Sequence, residues 1–270
     1  MRRVFGFLVT AGALVLAGLV GYSLVSSWLN PAPLTIESVD GRPLITAMQP
    51  ELISVPATLD NSGYDVSYPQ CKSELPTKPV GFAIVGLNGG KPFTKNKCFA
   101  SQWDWALSHD AVAVYINTAD PGDESAVRYG KKIAKDSLKR LAKFKIDPGT
   151  PIWLDVETHN TWSGAERAIQ VLTELAIELT AAGYPVGIYA PPVHWFEITG
   201  NANLGLPIWL ALGPYPDVPS GVAAAKAACS QSAFGGKTPD MVQFVATVDG
   251  ITLDRNLICG NATGLVAPAN

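Results

Sequence analysis

Eight short apolar runs of strand length recur between Gly63 and Asn256, and the stretches between them are amphipathic or rich in turn residues. The runs cover residues 63–68, 80–86, 111–117, 152–157, 186–189, 208–212, 241–245 and 251–256, the length range of buried strands. Residues 99–108 carry Phe99, Trp103, Ala106 and Leu107 at helical spacing, and residues 123–143 do so with Val127, Ala134, Leu138 and Leu141. A third stripe, Ile169, Leu172, Leu175, Ala176 and Leu179, follows Ser163 and Glu166, whose spacing predicts a capping box at the helix start. Strands alternating with helices predict parallel pairing, because parallel neighbours need crossover connections. Eight of them favour closure over an open flavodoxin-like sheet, although the later connections are too short for a full set of helices. The expected fold class is α/β, a modified (β/α)8 TIM-like barrel with an incomplete helix ring.

The first thirty residues do not share this pattern. Arg2 and Arg3 precede an uncharged, mostly apolar stretch from Val4 to Leu29, long enough to span a bilayer. Residues 1–29 therefore read as a signal anchor with its arginines on the cytoplasmic side; a signal peptide cleaved near Gly21-Tyr22-Ser23 is the alternative. Residues 30–62, broken by proline and glycine, read as an extracytoplasmic linker, and residues 63–270 as the barrel. The expected location is extracytoplasmic, membrane-anchored or secreted. Export gives the cysteines a meaning, since Cys71, Cys98, Cys229 and Cys259 are an even set that allows three pairings in an oxidising compartment. Cys71 with Cys98 and Cys229 with Cys259 is the favoured pairing, because each closes a short loop of neighbouring elements. A catalytic cysteine is the rival reading, and no histidine stands in an obvious sequence context to be its base.

The balance of charge narrows the partners. With 20 Lys and Arg against 23 Asp and Glu, a net charge of -3 and no long basic run, the chain lacks what a phosphate backbone attracts, so no nucleic-acid partner is expected. The cysteines and the three histidines show no zinc-ligand spacing. Neither a metal nor a cofactor is expected, and the chain is expected to be a monomer that meets the membrane only through its N-terminal segment.

In residues 152–157 the apolar Ile152, Leu154 and Val156 alternate with Trp153, Asp155 and Glu157. A strand that turns the first set toward helices turns the second into the barrel. Asp65 lies between Tyr64 and Val66 in the first run, while Thr252, Asp254 and Asn256 alternate with Ile251 and Leu253 in the last. Asp65, Asp155, Glu157 and Asp254 are thereby expected at one barrel mouth. Crowding in a low-dielectric cleft raises the pKa of at least one, leaving a protonated acid beside ionised partners, the arrangement that glycoside hydrolysis requires. For any single acid, a solvated strand end is the bland alternative; four at corresponding ends favour a site.

The strings Gly63-Tyr64-Asp65-Val66-Ser67, Leu154-Asp155-Val156-Glu157, Gly187-Ile188-Tyr189, Ile208-Trp209-Leu210-Ala211 and Gln243-Phe244, followed by Asp254-Arg255-Asn256, resemble in order and spacing the motifs of glycoside hydrolase family 25 lysozymes. That resemblance spans residues 63–256 and implies a modified (β/α)8 barrel that cleaves the β-1,4 bond between N-acetylmuramic acid and N-acetylglucosamine in peptidoglycan. It implies Glu157 as general acid, Asp155 beside it to stabilise or orient the reacting acetamido group, and Asp65 and Asp254 shaping the floor. Tyr189, Trp209, Tyr115, Asn117, Gln243 and Asn256 are the expected substrate-binding positions. The chain departs from the family pattern at three places. Leu87-Asn88-Gly89-Gly90 replaces a lysine-containing polar motif, Tyr115-Ile116-Asn117 replaces a Tyr-His-Phe type sequence, and Val242 stands where a tryptophan often precedes Gln243. The loop of residues 87–98, with its expected disulfide to Cys71, also resembles a divergent actinobacterial-type exported branch, for which another wall glycan is the alternative substrate.

Tyr68, Tyr115, Trp153, Trp162, Tyr189, Trp209 and Tyr215 are aromatic candidates for stacking on sugar faces, with Tyr189 and Trp209 foremost because strand alternation turns them inward. His159, two residues past Glu157, reads first as a surface histidine, with contact to substrate as the alternative, and His109 and His194 also fall in helix or loop contexts. Three functions fit these residues: a wall-glycan hydrolase, foremost a muramidase; a glycan-binding module that kept the barrel and lost turnover; and a divalent-cation phosphodiesterase using the acids as oxygen ligands. The last lacks the histidine pair common in barrel phosphodiesterases.

Overall fold

The computed structural model describes residues 34–35, 61–77, 80–248, 250–260 and 264–269. The expected membrane segment, residues 1–29, and most of the expected linker, residues 30–62, lie outside the described residues. The eight apolar runs form strands β1 (Ser62–Val66), β2 (Phe82–Gly86), β3 (Ala111–Asn117), β4 (Ile152–Asp155), β5 (Val186–Ala190), β6 (Ile208–Pro214), β7 (Met241–Val248) and β8 (Ile251–Ile258). Each pairs with the next in chain order, and β8 returns to β1, so the sheet closes into a barrel. The first seven run parallel. β8 runs antiparallel to both β7 and β1, which corrects the expectation of wholly parallel pairing. Only residues 249 and 250 separate β7 from β8, and a two-residue link can make a hairpin but not a crossover.

Five helices follow β2 through β6: α1 (Phe99–Ala106), α2 (Ala126–Lys143), α3 (Ala165–Ala181), α4 (Pro192–Thr199) and α5 (Val218–Ala228). A short 3-10 turn, Tyr68–Lys72, follows β1 and the hairpin follows β7, so the helix ring is incomplete as the connection lengths suggested. Ser125 caps α2 by accepting the Arg128 N–H, and the buried face of that helix is Ala126, Gly130, Ile133, Ala134, Ser137 and Leu141. Val127 and Leu138 sit at its half-buried margin, and Leu107 falls beyond the end of α1, about a third exposed. The capping box expected of Ser163 and Glu166 does not form. Gly164 is the N-cap of α3, one residue later than the pattern required, and the Ser163 hydroxyl instead donates to the Asp120 carbonyl at 2.9 Å.

Two apolar layers follow from strand alternation. Outward-facing Ile152, Leu154 and Val156 pack into the layer that holds Leu172, Leu175 and Leu179 of α3. Inward-facing Phe82, Ile84, Trp153, Trp209, Met241 and Ile258 fill the barrel with Leu265 and Val266 of the C-terminal segment, whose Ala267–Pro268 strand pairs with the start of β3. Both expected disulfides are present. Cys71–Cys98 ties the turn after β1 to the start of α1, and Cys229–Cys259 ties the end of α5 to the residue after β8. Loops of this length give about 3–4 kcal/mol each in the chain-entropy account, and such bonds persist in an oxidising, extracytoplasmic compartment. Among the described residues no helix is long and apolar enough to cross a membrane.

Candidate active site

The carboxyl-terminal ends of the parallel strands surround a cavity of about 450 Å³. Asp65, Asp155, Glu157 and Asp254 all line it. The route by which Asp254 arrives differs from the expectation of four corresponding strand ends. β8 is antiparallel, so Asp254 enters from its amino-terminal half, where register places it directly opposite Asp65. Glu157 also differs, lying two residues beyond the end of β4 in the turn that leads to α3.

The floor is a chain of hydrogen bonds. The Tyr189 hydroxyl donates to Gln243 Oε1 at 2.9 Å, and Gln243 Nε2 donates to both Asp65 oxygens, at 3.2 and 3.0 Å. Asn256 Nδ2 donates to Asp65 Oδ2 at 2.8 Å, while its own Oδ1 accepts from Trp209 Nε1 at 2.9 Å. Asn256 is buried beneath the cavity rather than lining it, so its contacts set the pose of Asp65 and Trp209. Asn117 Nδ2 donates to Asp155 Oδ2, and Asn117 is held in turn by Asn88, whose side chain exchanges two hydrogen bonds with its backbone. Gly86 ends β2 because a Cβ there would meet the Ser67 Cβ at 2.6 Å and the Tyr115 ring at 2.7 Å.

Burial dominates the electrostatics. Asp155 is pushed well above the usual carboxylate range by desolvation, then by the charges of Glu157 and Asp65. Asp65 is raised by desolvation and then by Asp254, against the opposing pull of the Asn256 and Gln243 donors. Asp254 is raised to about 6 by burial and then by Glu157. The Tyr115 and Tyr189 hydroxyls are raised, chiefly by burial and then by the nearby acids, and so remain donors. Glu157 is more open, its side chain retaining 20% exposure. Trp162 Nε1 donates to its carbonyl at 3.0 Å, and Arg167 forks onto Asp120 at 2.8 and 2.9 Å to hold the adjoining loops together.

His159 is exposed, as its sequence context suggested, and it also faces the site. Its half-exposed ring lines the cavity, and its Nδ1 is 2.8 Å from Glu157 Oε2. Tyr68, Tyr115, Tyr189 and Trp209 line the same cavity, as do Asn117 and Gln243. Three aromatics do not. Trp153 lies in the apolar fill with its Nε1 on the Leu265 carbonyl, Trp162 serves the Glu157 backbone, and Tyr215 packs edge-on against Phe244. Sequence reasoning missed His159 as a partner of Glu157 and Asn88 as the support of Asn117; the Thr-His-Asn string after Glu157 was the available signal. Among the described residues no group of three or more His, Cys, Asp or Glu is arranged to hold a metal ion.

Residues 97–220 match the family profile described as Lysozyme-like protein 1. That match covers just under half of this chain. The chain's fold is shared with a muramidase from Acremonium alcalophilum at 16% identity, covering 74% of this chain and 94% of that one with a TM-score of 0.52. It is likewise shared with the bacterial lysozyme from Streptomyces coelicolor, at 18% identity over 76% of this chain and 94% of that one, TM-score 0.51. A family 25 glycosyl hydrolase from Bacillus anthracis gives 17% identity over 78% and 94% of the two chains, TM-score 0.51. A search of curated proteins finds no match to the sequence. At such identities the likeness is one of fold, and an activity has to be argued from the site itself.

Proposed function

We propose that the lysozyme-like domain is a cell-wall glycan hydrolase, an N-acetylmuramidase that cleaves the β-1,4 bond after N-acetylmuramic acid in peptidoglycan. One observation carries the reading: four carboxyls of unequal burial line a single cavity at the mouth of a lysozyme-like barrel. Glycosidic cleavage needs a proton at the leaving oxygen and negative charge or a nucleophile at the anomeric carbon. Glu157 is the acid, because it lines the cavity, is more open than the buried Asp65 and Asp155, and matches the acid position of the resemblance, which Asp254 does not. Asp155 receives or orients the acetamido group of the substrate. As Glu157 protonates the glycosidic oxygen and the bond from that oxygen to the anomeric carbon breaks, the acetamido oxygen bonds to that carbon. Water then attacks the same carbon, giving its proton to the Glu157 carboxylate and releasing the acetamido oxygen. Asp65 and Asp254 shape the floor, and Tyr189 and Trp209 offer ring faces to the sugar.

Two further elements belong to this reading. Residues 1–29 tether the domain to the outer face of the membrane or direct its secretion, and the domain acts as a monomer. The departures at Asn88, Asn117 and Val242 support a second possibility, a domain that binds wall glycan without turning it over. The experiment is to treat purified peptidoglycan with the full chain and identify the new reducing-end sugar by mass spectrometry. Muramic acid at that end is expected. N-acetylglucosamine there contradicts the bond assignment, and binding without new ends favours the second possibility.

A further inference from the structure

We infer that His159 is the positioning residue of Glu157 and fixes which of its two oxygens carries the catalytic proton. This rests on the reading of Glu157 as the acid. His159 Nδ1 lies 2.8 Å from Glu157 Oε2. The protonation of the ring follows from its other neighbour. Asn160, buried, donates its Nδ2 to the Gly90 carbonyl at 3.1 Å, and since a carbonyl only accepts, this end of the amide is its NH2 group. The same Nδ2 lies 3.4 Å from His159 Nε2. A hydrogen on Nε2 would face that donor, whereas a lone pair there accepts from it. The ring hydrogen therefore sits on Nδ1 and is donated to Glu157 Oε2. With Oε2 occupied, the proton delivered to the glycosidic oxygen is the one on Oε1.

The surroundings leave this task to His159. The other titratable groups that line the cavity are Asp65 from β1, Tyr68 from the turn after it, Tyr115 from β3, Asp155 and Glu157 from β4 and its turn, Tyr189 from β5 and Asp254 from β8. All are acids, and no Lys or Arg is among the described lining residues, so His159 is the one basic group in the wall. Without it, Oε2 loses its donor and the Glu157 side chain is free to turn.

The test compares the full chain with His159→Ala, His159→Gln and Glu157→Gln, measuring kcat and KM on peptidoglycan. His159→Ala is expected to lower kcat about 10- to 100-fold, part of the roughly 10²- to 10⁴-fold that a positioned acid contributes, with KM changed by no more than about twofold. His159→Gln, which keeps an N–H donor within reach of Oε2, is expected to recover part of the loss, as is free imidazole added to His159→Ala. An unchanged kcat in His159→Ala overturns the inference and leaves the acid assignment standing. A rise in KM shared by both His159 variants also overturns it, because it makes His159 a substrate contact. A fully active Glu157→Gln overturns the acid assignment, and the inference with it.

Discussion

The same strands build the inside of the barrel twice, once as an apolar fill and once as an acid-lined mouth. β4 gives Trp153 to the first and Asp155 to the second, and β7 gives Met241 and then Gln243. Burial is comparable in the two layers: Trp153 retains 1% exposure and Asp155 5%. The consequences are opposite. In the fill, burial removes apolar surface from water and the one polar atom of Trp153 finds the Leu265 carbonyl. At the mouth, Asp155 Oδ1 and Asn117 Oδ1 are buried with no hydrogen-bond partner among the described residues, and Asp65 and Asp254 lie directly opposite each other on the neighbouring strands β1 and β8. The fill and the disulfides thus hold a mouth that costs stability, and the orphaned atoms lie where a substrate would supply the missing hydrogen bonds.

Breaking the fill should have the largest effect on stability. Trp153→Ala is expected to lower the free energy of unfolding by about 3–5 kcal/mol, read from denaturant midpoints; a change well below that would mean the mouth, not the fill, holds the barrel together. A smaller effect sharpens the other side of the contrast. Asp254 has its folded pKa raised to about 6, above the unfolded value, so between roughly pH 4 and 6 the folded state holds a proton that the unfolded state has lost. The stability it contributes is complete below the unfolded pKa and is lost as pH rises through about 6, by about 3 kcal/mol at most. Asp254→Asn should flatten that part of the melting-temperature profile. An identical slope in the variant would remove Asp254 from the set of destabilising groups.

The strands were legible because each is a short apolar run whose inward and outward residues alternate, and Ile152 to Val156 needed nothing else to place Asp155 in the barrel. The direction of β8 was not read, although the two-residue link before it held the information; a repeated strand pattern suggested repeated crossovers where only a hairpin fits. Among the candidate site residues, Asp65, Asp155 and Asp254 followed from strand alternation and from the family resemblance together, and Gln243 from the resemblance alone. His159 and Asn88 did not, because both stand in loops, where no periodicity tells which way a side chain points. Their partners are set by close contacts such as Asn160 on Gly90, which join segments about seventy residues apart.

The central claim is that the mouth carries chemistry at the expense of stability, with Glu157 as its acid. The most direct measurement pairs two readouts on Glu157→Gln and the unaltered chain: the rate of reducing-end release from peptidoglycan and the melting temperature. The account predicts a rate lower by about 10²- to 10⁴-fold with a melting temperature equal to or above that of the unaltered chain. A variant that releases reducing ends at the original rate would contradict it.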